Sequence, residues 1–471
     1  MSQTVAIEEL QVGMFVHLDL GWWAHPFALS SFLVTAPDQI ETIRGLGLKK
    51  LRWSPEKSRL PDAPLPPGTA DATGAGDRAD AIVVAAAGPS ASAPHPGTAP
   101  GDATTGTRSS IKSATMSATK SATLSATAAD ASPQARLHAT LAQQHAAREL
   151  CEQQYGEAGR AWREVQRQVL TSPVSAREIT EGLTRSLLDK MMVDREMCVR
   201  VLSDGRGDRA SGHALNVAVI ALLMGRVFGF SADEMLDLGM GALLHDVGKL
   251  DLPQRVHHVD PKFSSAEQAA YREHVALGLA HGRRMGLREG ALLVVAQHHE
   301  MADGSGFPAG LNLDRMVIGA RIVSLINRYD NLCNPALLAQ ALTPHEALSL
   351  IFAQARTKFD ATMLNAFIRM MGVYPPGSLV QLTDDRFATV VSCNSSRPLK
   401  PRVLVCDTSV PVEEALLLNL DGQADLGIRR SLKATQLPAA ARDYLSPRQR
   451  MVYFFEPVVA GAADASQALA A

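Results

Sequence analysis

Cysteine is scarce in this chain and shows no pairing pattern. Cys151, Cys198, Cys333, Cys393 and Cys406 are scattered, odd in number and form no CxxC. That argues against a disulfide framework or a thiolate zinc site and favours a reducing compartment. Excess charge is missing too: 46 Lys and Arg against 48 Asp and Glu leave a net −2. Such a balance gives no global attraction to a nucleic-acid polymer or an anionic membrane, although a local patch can still hold a small charged ligand. The amino-terminal residues carry Glu8 and Glu9 where a signal peptide would be basic and then apolar. The most apolar run, HALNVAVIALLMG at 213–225, reads as too short and too polar to span a bilayer. A cytoplasmic protein without a membrane span is expected.

What is present is length and apolar content. The 471 residues, 46 % hydrophobic, suffice for two or three domains with a sizeable core. Residues 1–58 read as a small α+β module. VGMFVHLDL alternates like a strand, and APDQIETIRGLGLKKLRW reads as helix, Gly turn and strand. Trp22, Trp23 and Trp53 fall here, most simply as aromatics of a small fold, with a ligand-sensing face as the alternative. Between 61 and 135 the composition collapses to Ala, Ser, Thr, Pro and Gly, with SATMSATKSATLSATA repeating every four residues. Too little apolar surface is available there to offset chain entropy, so a disordered linker is expected. Residues 136–200 read as a helical connector, either an amphipathic dimerising helix or a plain packing one.

From 200 to 370 the pattern is helix after helix. Ser231 with Glu234, and Ser264 with Glu267, form two capping boxes. REGALLVVAQHHE and MVIGARIVSLINRYD are further apolar helices. From 371 to 460 SLVQLTDDRFATVVSC and KPRVLVCD alternate as strands, predicting a small β-rich appendage.

Metal-binding side chains recur inside the apolar helices: His213, His245 with Asp246, His274, His298 with His299, and Asn327 with Asp330. A helical bundle can bring these distant segments to one pocket. Imidazole plus carboxylate suits Fe, Mn, Zn or Ni, and the ligands outnumber what one tetrahedral ion needs. Two ions are the natural count. Sequence neighbours such as His298 and His299 diverge by about 100° on a helix and can serve different ions, while Asp246 can bridge both. A dinuclear site suits phosphoryl transfer. Lys249, three residues after Asp246, could hold a phosphate oxygen. His17, His25, His257, His258 and His281 read as ordinary satisfied histidines.

These residues then resemble a known family. GALLHDVGKLDLP, REHVALG, HHEMADGSGFPAGL and ARIVSLINRYDNL are similar in order and spacing to the HD-GYP branch of the HD phosphohydrolases over about 205–370. FIRMMGVYPPGSLVQL resembles the segment that follows the catalytic domain in that family, and residues 5–55 its common N-terminal module. The resemblance implies a mainly α fold: an all-helical HD-type metal-dependent phosphohydrolase domain between an α+β module and a β-rich appendage. It implies hydrolysis of cyclic di-GMP to the linear dinucleotide pGpG or on to GMP. Fe or Mn would be held by His213, His245, Asp246, His274, His298 and His299, with Asp246 and Lys249 catalytic. It further implies a substrate or partner loop at Asp303, Gly304, Gly306, Phe307 and Pro308, through which a diguanylate cyclase or other signalling protein could dock. Three departures stand out. Arg209 occupies a position where some members carry a third-metal glutamate. Asn327 replaces the usual ligand aspartate, leaving it and Asp330 as weak ligands. The segment before His274 holds His257 and His258 in place of the usual basic, Gly-containing pattern. Asn327 motivates the alternative of a receptor that binds cyclic di-GMP or a partner without turnover. A phosphohydrolase for another nucleotide is the third reading.

Overall fold

The computed structural model describes residues 3–18, 31–46, 48–58, 132–191, 197–202, 209–354, 356–394 and 397–457. The N-terminal unit comprises β1 (Gln3–Ala6), β2 (Phe15–His17), β3 (Ser31–Leu33), α1 (Pro37–Arg44) and β4 (Lys50–Trp53). Its sheet runs β1-β4-β2-β3, all antiparallel. Val5, Val16, Val34, Ile43 and Leu51 form its core, with Trp53 packed against them. The expected helix, Gly turn and strand are all there. Trp22, Trp23 and nearly all of 61–135 lie outside the described residues.

The long helix α2 (Pro133–Gln168) begins inside the segment read as linker. Ser132 supplies the reason: its side chain accepts from the Ala135 amide, and Pro133 sits at the first helical position, where its missing N–H costs nothing. After α3 (Pro173–Met191) the expected helical connector ends in a strand, β5 (Met197–Val201), whose five residues are all buried. A short, valine-containing run buried on both faces favours strand over helix.

The central body is α4 (Arg209–Val227), α5 (Ala232–Leu244), α6 (Ser265–Met285), α7 (Glu289–Gln297), α8 (Ile318–Cys333), α9 (Pro344–Gln354) and α10 (Ala361–Met371). Both capping boxes form: Ser231 with Glu234 opens α5, and Ser264 with Glu267 opens α6. In α4, residues 214–224 are all buried among the other helices. A helix apolar all round is a core helix. As a whole, Ala210–Val227 does meet the length and hydropathy of a membrane span, unlike the 213–225 run alone, yet 78 % of it is buried within the protein. Truncating a residue such as Ile220 to Ala there costs about 2–5 kcal/mol.

The C-terminal region supplies β6 (Leu379–Leu382), β7 (Phe387–Cys393), β8 (Arg402–Val405), β9 (Leu417–Asn419), β10 (Ile428–Leu432), α11 (Ala439–Leu445) and β11 (Tyr453–Pro457). The sheet runs β10-β6-β7-β5-β11, with β8 on β7 and β9 on β8. It is therefore not built from C-terminal residues alone, because β5 enters it from between α3 and α4. Val199 faces Phe455 in that register, and Arg200 faces Phe454. The buried Arg200 guanidinium meets Glu456 at 2.5 Å, with Arg402 at 3.3 Å on the other carboxylate oxygen. Removing one partner of such a buried pair strands a charge, at about 3–5 kcal/mol. The sheet is thus tied into the helical body.

Candidate metal centre

Each candidate ligand is placed by a helix or its end. His213 lies in the first turns of α4. His245 caps α5, and Asp246 follows in a non-helical conformation (φ −99°, ψ 7°) before a short 3₁₀ turn, Val247–Asp251. That turn seats directly on α6, where His274 sits. The approach requires glycine at 248: a Cβ there would stand 2.0 Å from the His274 carbonyl oxygen and 2.4 Å from the Gly278 nitrogen. His298 caps α7, and His299 follows it.

These six residues converge in two overlapping groups. His213, His245 and Asp246 form one; Asp246, His274, His298 and His299 form the other, with ligand atoms within 4.8 Å of one another in each. Asp246 is common to both. Its Oδ2 lies 3.6 Å from His213 Nε2 and 3.5 Å from His245 Nε2. Its Oδ1 lies 3.5 Å from His274 Nε2 and 3.7 Å from His298 Nε2. One carboxylate oxygen thus faces each group, as a bridge requires.

The hydrogen bonds fix the tautomers. The Nδ1 atoms of His245, His274 and His298 face the main-chain carbonyls of Ala242, Tyr271 and Val295, acceptors that demand an N–H. A neutral ring that donates from Nδ1 leaves a bare lone pair on Nε2. Burial pushes His245 down to about 4 and lowers His274, His298 and His299 as well, so these rings are neutral near pH 7. Yet His213 and His245 bring Nε2 to Nε2 at 3.1 Å, and His274 and His298 do so at 3.2 Å. Facing lone pairs repel unless a cation sits between them. Metal–nitrogen bonds of about 2.1 Å at octahedral or tetrahedral angles imply nitrogen separations of roughly 3.0–3.4 Å. Asp246 Oδ1 is buried and lacks any hydrogen-bond donor, another atom that a cation would satisfy. The donor set fits divalent metal.

Burial alone would raise the Asp246 carboxyl, but Lys249 and the surrounding imidazoles outweigh it and hold the acid well below the usual carboxylate range. Lys249 Nζ meets Asp246 Oδ2 at 2.5 Å and lies over the Tyr271 ring. Asp330 falls outside both groups. Asp330 instead stands behind His213, its Oδ2 2.6 Å from Nδ1, while Asn327 Oδ1 accepts from Asn331 at 2.6 Å. His281 and His257 point elsewhere: His281 Nε2 meets Asp251, leaving its buried Nδ1 without a partner, and His257 Nε2 meets the Leu252 carbonyl.

The Gly-rich loop folds back over the second group. Phe307 stacks on His299 with ring centroids 4.5 Å apart and planes 19° apart, and the Arg272 guanidinium lies over the Phe307 ring, 5.0 Å from its centroid. Gly304 is left-handed (φ 75°), and a Cβ on Gly306 would stand 2.4 Å from the Met301 nitrogen. Asp303 is exposed and turns the chain by accepting from Ser305 N. The Phe307–Pro308 peptide is cis. Sequence reasoning missed two residues here. Glu300 is fully buried, and its two oxygens accept from the Ala309 and Leu311 amides at 2.7 and 2.8 Å, clamping the loop. Tyr271 reaches His299 Nε2 with its hydroxyl at 3.3 Å. Its position three residues before His274, on the same helix face, was the available signal.

Residues 196–363 match the HD domain family, and this is the part of the chain that holds every candidate ligand. The chain carries an HD domain. Residues 2–178 match a second family, described as Domain of unknown function (DUF3391), which extends past the 1–58 module through α2. The chain is 28 % identical over 222 residues to a cyclic di-GMP phosphodiesterase of Pseudomonas aeruginosa, covering 45 % of this chain and 52 % of that one. It is 31 % identical over 153 residues to the cyclic di-GMP phosphodiesterase response regulator RpfG of Xanthomonas campestris, covering 32 % and 40 %. To a 3'3'-cGAMP-specific phosphodiesterase of Vibrio cholerae it is 28 % identical over 178 residues, covering 36 % and 37 %. The chain thus spans about half or less of the length of these relatives. A solved HD-GYP-type protein of Bdellovibrio bacteriovorus, at 11 % identity, covers 78 % of this chain and 98 % of its own with a TM-score of 0.36, too distant to carry an argument.

Proposed function

We propose that this HD domain is a metal-dependent phosphodiesterase that hydrolyses cyclic di-GMP to pGpG, or on to GMP by a second hydrolysis, in bacterial second-messenger signalling. The observation that carries the reading is the pair of facing Nε2–Nε2 contacts joined through the two oxygens of Asp246. His213, His245 and Asp246 would hold one divalent ion, and Asp246, His274, His298 and His299 the other, with iron or manganese favoured by the imidazole and carboxylate donors. Ions bound there supply positive charge beside the scissile phosphate and acidify water near neutral pH.

The chain's own groups supply the rest. The Nδ1 bonds of His245, His274 and His298 aim their Nε2 atoms inward, and burial keeps these rings neutral. Asp246 stays ionised, paired on Oδ2 with Lys249, and offers its charge to both groups. Lys249, a flexible ammonium at the rim, can swing from Asp246 to a phosphate oxygen. Phe307, stacked on His299 beside the Arg272 guanidinium, places an aromatic ring and a cation at the loop for contact with a base or with a partner protein such as a diguanylate cyclase. Water adds to phosphorus, one P–O ester bond breaks, and the loop restricts which dinucleotide reaches that point. His and Asp side chains alone bring together three donors in one group and four in the other, which favours turnover over the receptor reading. A cytoplasmic location follows from the substrate.

The test is anaerobic incubation of purified protein, loaded with Mn²⁺ or Fe²⁺, with cyclic di-GMP and in parallel 3'3'-cGAMP. Linear product from cyclic di-GMP, abolished by His245→Ala, is expected. Intact cyclic di-GMP with tight nucleotide binding would instead favour the receptor.

A further inference from the structure

Asp330, which orients His213, is itself held from a distant part of the chain. The side-chain amides of Asn216 and Asn334 both donate to Asp330 Oδ1, at 2.7 and 2.9 Å. The same two amides donate to the Met451 carbonyl, at 2.9 and 2.8 Å. Their oxygens accept in return from the strand that leads into β11: Asn334 Oδ1 from the Met451 amide and Asn216 Oδ1 from the Tyr453 amide, each at 2.8 Å. Both side-chain amides therefore bridge one carboxylate and one chain segment. Asp330, Asn216 and Tyr453 are fully or almost fully buried, so these bonds have no competition from water.

We propose that the segment 451–453, which lies beyond the matched HD domain, is a positioning element of the metal centre. It holds Asn216 and Asn334, these hold Asp330, and Asp330 fixes the tautomer and ring orientation of His213. A carboxylate behind a ligand histidine sets which nitrogen faces the metal, and losing such support typically costs 10–100-fold in metal affinity. The inference rests on the two-ion reading, and it makes the C-terminal sheet part of the centre: a shift of β11 reaches His213 through three hydrogen-bonded layers. By reciprocity, metal bound at His213 steadies the strand.

The test is calorimetric titration of the metal-stripped 471-residue chain with Mn²⁺. Wild type should take up two ions. Asn216→Ala and Asn334→Ala should each weaken one ion by roughly 10–100-fold and leave the other at wild-type affinity. Phe455→Ala, which thins the core under the same strand, should keep both. Two unchanged ions in the Asn variants would overturn the inference and leave the two-ion reading standing. Loss of both ions in step with Phe455→Ala would also overturn it, whereas no binding by wild type would defeat the reading beneath. Hydrogen exchange on wild type needs no variant to fold: Mn²⁺ should slow the Met451 and Tyr453 amides and leave Arg430 of β10 unchanged. Equal exchange at 451 and 453 with and without metal contradicts the proposal.

Discussion

Phe307 lies flat against His299, ring on ring, while the buried carboxylate of Glu300 holds the loop that carries it. The aromatic of the loop and a candidate metal ligand are thus one packed unit, and their separation is the first thing to test. Glu300→Gln keeps the shape but turns an amide donor toward a main-chain donor. A buried mismatch of this kind costs about 1–3 kcal/mol. Both metals should stay bound, while KM for the cyclic dinucleotide rises several-fold or more; a steady-state titration beside a metal assay measures both.

The turn after the HD pair depends on glycine. Gly248→Ala forces backbone apart at His274 and Gly278. Because backbone cannot yield as a side-chain end can, the expected cost is about 1–3 kcal/mol or more. The spacing of Asp246 from His274 changes with it, so the variant should show both a lower melting temperature and weakened binding of the ion at His274. Scanning calorimetry with and without Mn²⁺ reads the two effects separately.

Asn327→Asp restores a carboxylate one helical turn before Asp330. In the native chain Asn327 Oδ1 accepts from the Asn331 amide at 2.6 Å. Turnover should therefore change by less than about tenfold, since a factor of ten is 1.4 kcal/mol and His and Asp side chains alone bring both groups together. A gain of several orders of magnitude in kcat would reveal a centre crippled by that asparagine.

The start of α6, which carries Tyr271 and His274, has its own pH signature. Hydrogen bonds from Ser264 hold the Glu267 carboxyl below its ordinary value of 4.5. A depressed folded value means that the ionised cap stabilises the protein above the unfolded value and that the benefit disappears as pH falls through the folded one. Glu267→Gln should melt below wild type at pH 7, and the two curves should converge in acid below pH 4. Melting temperatures across that range provide the check.

Much of the centre was legible because its ligands sit at helix ends in motifs of fixed spacing. HD, the lone His274 and the HH pair each fix a helix and a direction, and Asp246 as the bridge follows from their number. The capping boxes were readable for the same local reason. What escaped was long-range. MCVRV carries strand character, but only its pairing with 453–457, more than 250 residues on, makes it β5. Glu300 looked like the third letter of a motif, and its clamp on two amides of a loop depends on how that loop folds back. Asn216 and Asn334 are ordinary asparagines until Met451 arrives. Asp330 read as a weak ligand because sequence gives its helix but not the ring of His213 that stands in front of it.

The central claim is that six side chains from four helices and their ends grip two cations through one shared carboxylate. Metal stoichiometry tests it most directly. Protein stripped of metal and titrated with Mn²⁺ should bind two ions per chain, His213→Ala and His299→Ala should each bind one, and Asp246→Asn should weaken both. Binding of one ion or none by wild type, or a stoichiometry unmoved by these substitutions, would contradict it.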